Sequence, residues 1–167
     1  MLQDEISRYL VKLTEKELSQ VDSSILPAML HSVNDLERIG DHATNIIELS
    51  EKMRDKKLKF SPAATKDIRK MSMLVNEMFD DIIFSLKNKK TSKPEEALEK
   101  EEKINKLTKR LRDNHTCRLK DNVCTFESGF IFLDIVMNLE KIGDHLANIA
   151  EAKKDALVEL ESLKRIK

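Results

Sequence analysis

Leu36-Glu37-Arg38-Ile39-Gly40-Asp41-His42-Ala43-Thr44-Asn45-Ile46 returns 103 residues later as Leu139-Glu140-Lys141-Ile142-Gly143-Asp144-His145-Leu146-Ala147-Asn148-Ile149. Eight of the eleven positions are identical, and a ninth exchanges Arg38 for Lys141. A repeat of this length means two copies of one structural unit. Its internal spacing is helical. Leu36, Ile39, Ala43 and Ile46 recur every three or four residues and predict a core-facing stripe, while Glu37, Asp41 and Asn45 fall four apart on the adjoining face.

The rest of the chain agrees with a fold made of helices. Only three glycines and three prolines interrupt 167 residues rich in Glu, Lys and Leu, which predicts long amphipathic helices with few connections. Charged residues make up 36% and balance to zero, which argues against broad binding to nucleic acid. No run approaches the ~20 apolar residues of a membrane span, so no direct membrane insertion is expected. Gln3, Asp4 and Glu5 follow Met1 too closely for a secretory signal. Cys117 and Cys124 form no C-x-x-C and read as two reduced thiols.

Five helices are predicted. The first runs from about Leu2 to Lys16, with Leu2, Ile6, Tyr9, Leu10 and Leu13 on one stripe. The second is expected to start near Ser23 or Ser24, with Pro27 in its first turn, and to reach Lys56. Ser61-Pro62 starts the third, which keeps its apolar spacing to about Asn88. Ser92-Lys93-Pro94-Glu95 reads as a capping box for the fourth, ending near Cys117. The fifth starts near Thr125 and carries the second motif. The stretch Asp4–Leu13 also matches Glu102–Leu111 at an offset of 98. The division is therefore residues 1–57, with two helices, and 58–167, with three. A full three-helix first repeat would need a helix before Met1 or one supplied by a partner chain, a second copy included.

Glu37, Asp41 and Asn45, with Asn34 and Glu48, form an oxygen-rich ridge that Glu140, Asp144, Asn148 and Glu151 repeat. Carboxylates one turn apart repel by a few tenths of a kcal/mol, so a compensating cation is expected: either a hard or borderline metal or a basic side chain across an interface. Gly40 and Gly143 lie mid-helix, where glycine costs about 1 kcal/mol against alanine; close helix packing, or approach of the backbone to an ion, would explain them. His42 and His145 are turned ~100° from the aspartates and could be peripheral ligands or hydrogen-bonded between helices. Glu77 and Asp81 make a further E-x-x-x-D pair, read as a solvated face.

The doubled E-[RK]-I-G-D-H-x-x-N-I resembles the PhoU family, whose members are built of two three-helix repeats and attend phosphate transport. The stretch from His115-Thr116-Cys117-Arg118 through Glu127, Gly129, Phe132 and Asp134 is similar to the version joined to bacterial sodium/phosphate cotransporters. The resemblance implies multinuclear iron or zinc clusters, each held by paired E(D)-x-x-x-D motifs. Glu140 with Asp144, and Glu37 with Asp41, match one half of each pair. The opposing half is reduced to Glu101 and Asn105 in the second repeat and to Gln3 and Ser7 in the first.

The function expected on this resemblance is regulatory and non-catalytic, with no organic cofactor. The chain would modulate phosphate uptake from the cytoplasmic face of the plasma membrane, by contact with a transporter's membrane domain. The alternative is a free-standing regulator acting on a permease and a sensor kinase. A plain helical scaffold, whose ridges only form salt bridges, is a third reading. A di-iron enzyme would need Glu-x-x-His on its helices, and none of the four histidines has a glutamate three residues before it. No Gly-rich phosphate loop is present either.

Overall fold

The computed structural model describes residues 2–15, 17–88 and 93–165. These form five helices: α1 (Leu2–Thr14), α2 (Gln20–Asp55), α3 (Pro62–Lys87), α4 (Lys93–Lys120) and α5 (Phe126–Arg165). The all-α class with five long helices is as the sequence predicts. The expected Ser92 cap lies outside the described residues.

Helix ends follow local chemistry. The hydroxyl of Ser61 accepts from the Ala64 amide at 3.2 Å, with Pro62 at the first helical position. Thr125 does the same for Ser128 at the head of α5. The start of α2 corrects the expectation. Ser19, not Ser23 or Ser24, is the N-cap; its Oγ accepts from the Asp22 amide at 3.1 Å and its hydroxyl donates to the Asp22 carboxylate. Ser19 thus caps α2 one turn earlier than expected, and Pro27 consequently falls two turns inside α2.

With so few glycines, α2 and α4 stop on other residues. Lys57 and Asn122 adopt φ of 52° and 54°. At α2, Leu58 N donates to Met53 O and Lys57 N to Arg54 O; at α4, Val123 N donates to Arg118 O and Asn122 N to Leu119 O. Both are Schellman closures, in which a left-handed residue satisfies the last carbonyls.

α3, α4 and α5 form a three-helix bundle whose core includes Met71, Val75, Met78 and Ile82 of α3, Ile104 and Leu111 of α4, and Phe132, Val136, Leu146 and Ile149 of α5. α2 lies antiparallel along α5 and contributes Met53 to the same core, with Ile39, Ile46 and Leu49 partly buried beside it. Among the described residues α1 packs on α2 alone.

The two motifs consequently meet different surroundings. Leu139 and Leu146 are 7% and 0% exposed, whereas their counterparts Leu36 (40%) and Ala43 are exposed. The expectation that Leu36 and Ala43 belong to the core is thus corrected. The cause is the placement of α1, whose Gln3 amide donates to Asn34 Oδ1 at 2.9 Å. α1 is therefore anchored near the first half of α2, and Leu10 is the buried residue of its predicted stripe, while Leu2 and Tyr9 face solvent.

Candidate functional site

The second halves of the two motifs come together where α2 crosses α5. His42 Nδ1 lies 2.8 Å from Asn138 Oδ1, and the Asn45 amide donates to the same oxygen at 3.1 Å. His145 Nδ1 lies 2.8 Å from Asp35 Oδ1, and the Asn148 amide donates to that oxygen at 3.1 Å. Asp35 and Asn138 are themselves 103 residues apart. The two networks are therefore related by a local two-fold relation that exchanges α2 and α5. The imidazole rings face each other across it, with centroids 5.6 Å apart and planes inclined by 28°.

Of the two histidine roles left open by the sequence, the bond between helices is the one formed. Its acceptors were missed. Asp35 and Asn138 each stand one residue before the eleven-residue motif, and their equal spacing was the available signal. They differ in chemistry. An ionised Asp35 makes its side of the pair charge-assisted, while Asn138, oriented by donating to the Asp134 carbonyl at 2.8 Å, offers a neutral amide oxygen. The Asp35 and His145 side chains are only 15% and 21% exposed, which shields that pair from water.

Glu37, Asp41 and Asp144 of the carboxylate ridges each have a cation on their own helix. Arg38 lies 3.9 Å from Glu37 and 3.6 Å from Asp41. Lys141 donates to Asp144 at 2.7 Å, a bond that holds its ammonium above the ordinary lysine pKa. Glu101 and Asp144 line one cleft between α4 and α5, with Lys141, Asn148 and Glu151. The Glu101 carboxylate there accepts from the Asn105 amide. In the first repeat Gln3 is engaged with Asn34 instead of facing Glu37 and Asp41. Among the described residues no three His, Cys, Asp or Glu side chains gather as a metal-binding group. Among the described residues the multinuclear iron or zinc set that the resemblance implies is not assembled.

The two motif glycines also diverge. A Cβ on Gly143 would stand 3.1 Å from Ile104 Cδ1, so close packing of α4 on α5 accounts for it. Around Gly40 nothing lies within 4 Å, which corrects the expectation of close packing there. The third glycine, Gly129, is the tightest: a Cβ would meet His115 Cε1 at 2.5 Å. His115 is buried, stacks on Phe132 at 5.4 Å, and has its pKa lowered by burial and by nearby Arg118. Arg118 covers the same ring at 4.7 Å and donates to Asp67 of α3 at 2.8 Å. The stretch that marked the resemblance is thus a packing knot joining α3, α4 and α5. Asp81, read as solvated, is instead buried and bonded to Lys100 of α4.

An antiparallel pair of motif helices, joined through a doubled histidine network and flanked by a three-helix bundle, defines a tandem-repeat helical protein. The PhoU domain model matches residues 1–50 and 68–152. The chain belongs to the PhoU family. It is 25% identical over 142 residues to the phosphate-specific transport system accessory protein PhoU homolog of Streptococcus pneumoniae, covering 85% of this chain and 63% of that one. The homolog of Deinococcus radiodurans is 21% identical, covering 78% and 60%; that of Clostridium acetobutylicum is 26% identical, covering 72% and 53%. The chain thus spans less than two thirds of these relatives. The crystal structure of the phosphate transport system regulatory protein PhoU from S. pneumoniae superposes with a TM-score of 0.79 at 25% identity, over 95% of this chain and 72% of that one.

Proposed function

We propose that the chain is a regulatory, non-catalytic part of a phosphate-transport system that acts through its helix surfaces. The similar proteins named above are accessory proteins of phosphate-specific transport systems, which favours the free-standing regulator over the cotransporter-joined domain. The observation that carries a contact mechanism is the uncovered first repeat. Met29, Leu36 and Ile47 of α2 are 47, 40 and 60% exposed, whereas Phe132, Leu139 and Ala150 at the corresponding places of α5 are buried. Apolar helix faces left open in this way are surfaces for another helix. None of the described helices is long and apolar enough to cross a membrane. On this proposal the contact is made at the cytoplasmic face of a transporter.

The test is uptake of radiolabelled phosphate by cells with the gene intact, deleted and restored, under phosphate-replete conditions. Deletion should raise uptake and restoration should reverse it. A restored strain carrying Leu36→Glu/Ile47→Glu should behave as the deletion while the purified variant keeps its helical circular dichroism. Identical uptake in all strains would refute the proposal.

A further inference from the structure

We propose that the groove between α3 and α4 docks an acidic amphipathic helix of a protein partner. This rests on the reading that the chain acts by contact, and it specifies the chemistry of what is contacted. Lys66, Arg69 and Lys70 of α3 and Lys103, Lys106 and Arg110 of α4 line the groove. All six are exposed, in a chain whose net charge is zero. Lys106 pairs with Glu102 at 3.0 Å; the other five have no ion-pair partner among the described residues. Between these cations lies an apolar floor of Met73, Leu74 and Leu107, with Met73 58% exposed and Leu107 recessed at 6%.

Dimensions and layout select the occupant. From Lys66 to Glu77 the α3 wall rises through eleven residues, about 16 Å or three helical turns. A helix laid along it would set apolar residues at i, i+4 and i+7 on the methionine–leucine floor and carboxylates toward both cationic walls. Methionine suits such a floor because its unbranched side chain reshapes to its partner. A free phosphate would leave the floor unused. A flat bilayer reaches the exposed cations but not the recessed Leu107. A nucleic-acid backbone, anionic along its whole length, has no cation to set against Glu77, the lone acid of the lining. Glu77 also gives the groove a direction, since a helix acidic along its length would need a lysine or arginine facing that end. Among the described residues the backbone of α2 runs close to α1 and α5 and to neither α3 nor α4, so the groove lies apart from the histidine network.

The probe is a fluorescein-labelled helical peptide of about five turns with leucines on one stripe, glutamates flanking it and a lysine at one end to meet Glu77, measured by fluorescence anisotropy. Controls are a scrambled peptide of equal charge and a lysine-for-glutamate peptide. Arg69→Glu/Lys103→Glu should weaken binding about ten-fold or more, as should added salt, because the attraction is between exposed charges. Met73→Asp should weaken it about five-fold or more through the lost floor. Arg8→Glu/Lys12→Glu on α1 should leave it unchanged. Amide shift changes in the labelled protein should centre on residues 66–77 and 103–110. Equal binding of the scrambled peptide, indifference to the groove variants, or binding confined to phosphatidylglycerol vesicles would overturn the proposal. No peptide binding by the unaltered chain, with phosphate uptake still dependent on the gene, would refute the groove alone. Uptake independent of the gene would refute the regulatory reading alone.

Discussion

Gly40 and Gly143 occupy the same place in two nearly identical motifs, yet the structure predicts opposite responses to alanine. Each sits mid-helix, and neither has a positive φ. Replacing either therefore removes the same backbone penalty, about 0.8–1 kcal/mol. At Gly40 nothing opposes that gain, since no atom lies within 4 Å of the new Cβ. Gly40→Ala should stabilise the protein by nearly the full amount, raising Tm by about 2–4 °C for a chain of this size. At Gly143 the Cβ stands 3.1 Å from Ile104 Cδ1 and 3.4 Å from Ile104 Cγ2, and Ile104 is completely buried. Overpacking a tight core costs about 1–3 kcal/mol, so Gly143→Ala should be neutral to destabilising by about 2 kcal/mol.

The assay is urea unfolding followed by circular dichroism, with the midpoints compared at a common slope. Ile104→Val removes the atom nearest the new methyl and costs about 0.5–1.5 kcal/mol by itself. Combined with Gly143→Ala it should cost less than the two changes added, a coupling that reports the clash directly. Equal shifts for Gly40→Ala and Gly143→Ala would refute the reasoning, as would a destabilising Gly40→Ala.

Asp35→Ala should cost about 2–3 kcal/mol because the His145 and Asn148 donors lose their shared acceptor, whereas Asp35→Asn, which copies the Asn138 side, should cost about 1 kcal/mol; both are read from urea midpoints. Asp67→Ala leaves Arg118, whose Nε and Nη2 are already buried without a partner, lacking its carboxylate, and should cost about 3 kcal/mol by the same measurement. The His115 pKa is lowered in the folded state, so the unfolded chain takes up that proton first as pH falls. The contribution of the neutral ring is therefore complete above about pH 6.5 and declines below it; unfolding at pH 7.5 and 5.5 should show a larger loss than in His115→Gln. Protein purified without chelator should carry substoichiometric iron and zinc by elemental analysis. Stoichiometric metal, lost in Glu140→Ala/Asp144→Ala, would mean that Lys141 yields its place on Asp144 to an ion.

Much of the site was legible because the chain repeats it. Two copies of Gly-Asp-His-x-x-Asn mark the histidines and asparagines without any structure. Asp35 and Asn138 escaped because they differ from each other, and a repeat draws the eye only to what stays the same. Their shared role depends on both accepting through an oxygen at one place, which an acid and an amide do equally well. The acidic ridges left their counter-charge open. Carboxylates spaced by four need a counter-charge, but spacing does not say whether a metal or an adjacent Arg38 or Lys141 supplies it.

The chain by itself determined the helices, their caps at Ser61 and Thr125 and the tandem relation, because helical period, capping hydroxyls and proline act within a few residues of sequence. Only the tertiary structure decided which copy of the motif is covered. Leu139 is buried and Leu36 exposed, Gly143 pressed by Ile104 and Gly40 open, although the local sequences nearly coincide. Burial belongs to the neighbour as much as to the residue: α4 lies along the second motif, while α1, held by Gln3 at Asn34, leaves much of the first uncovered.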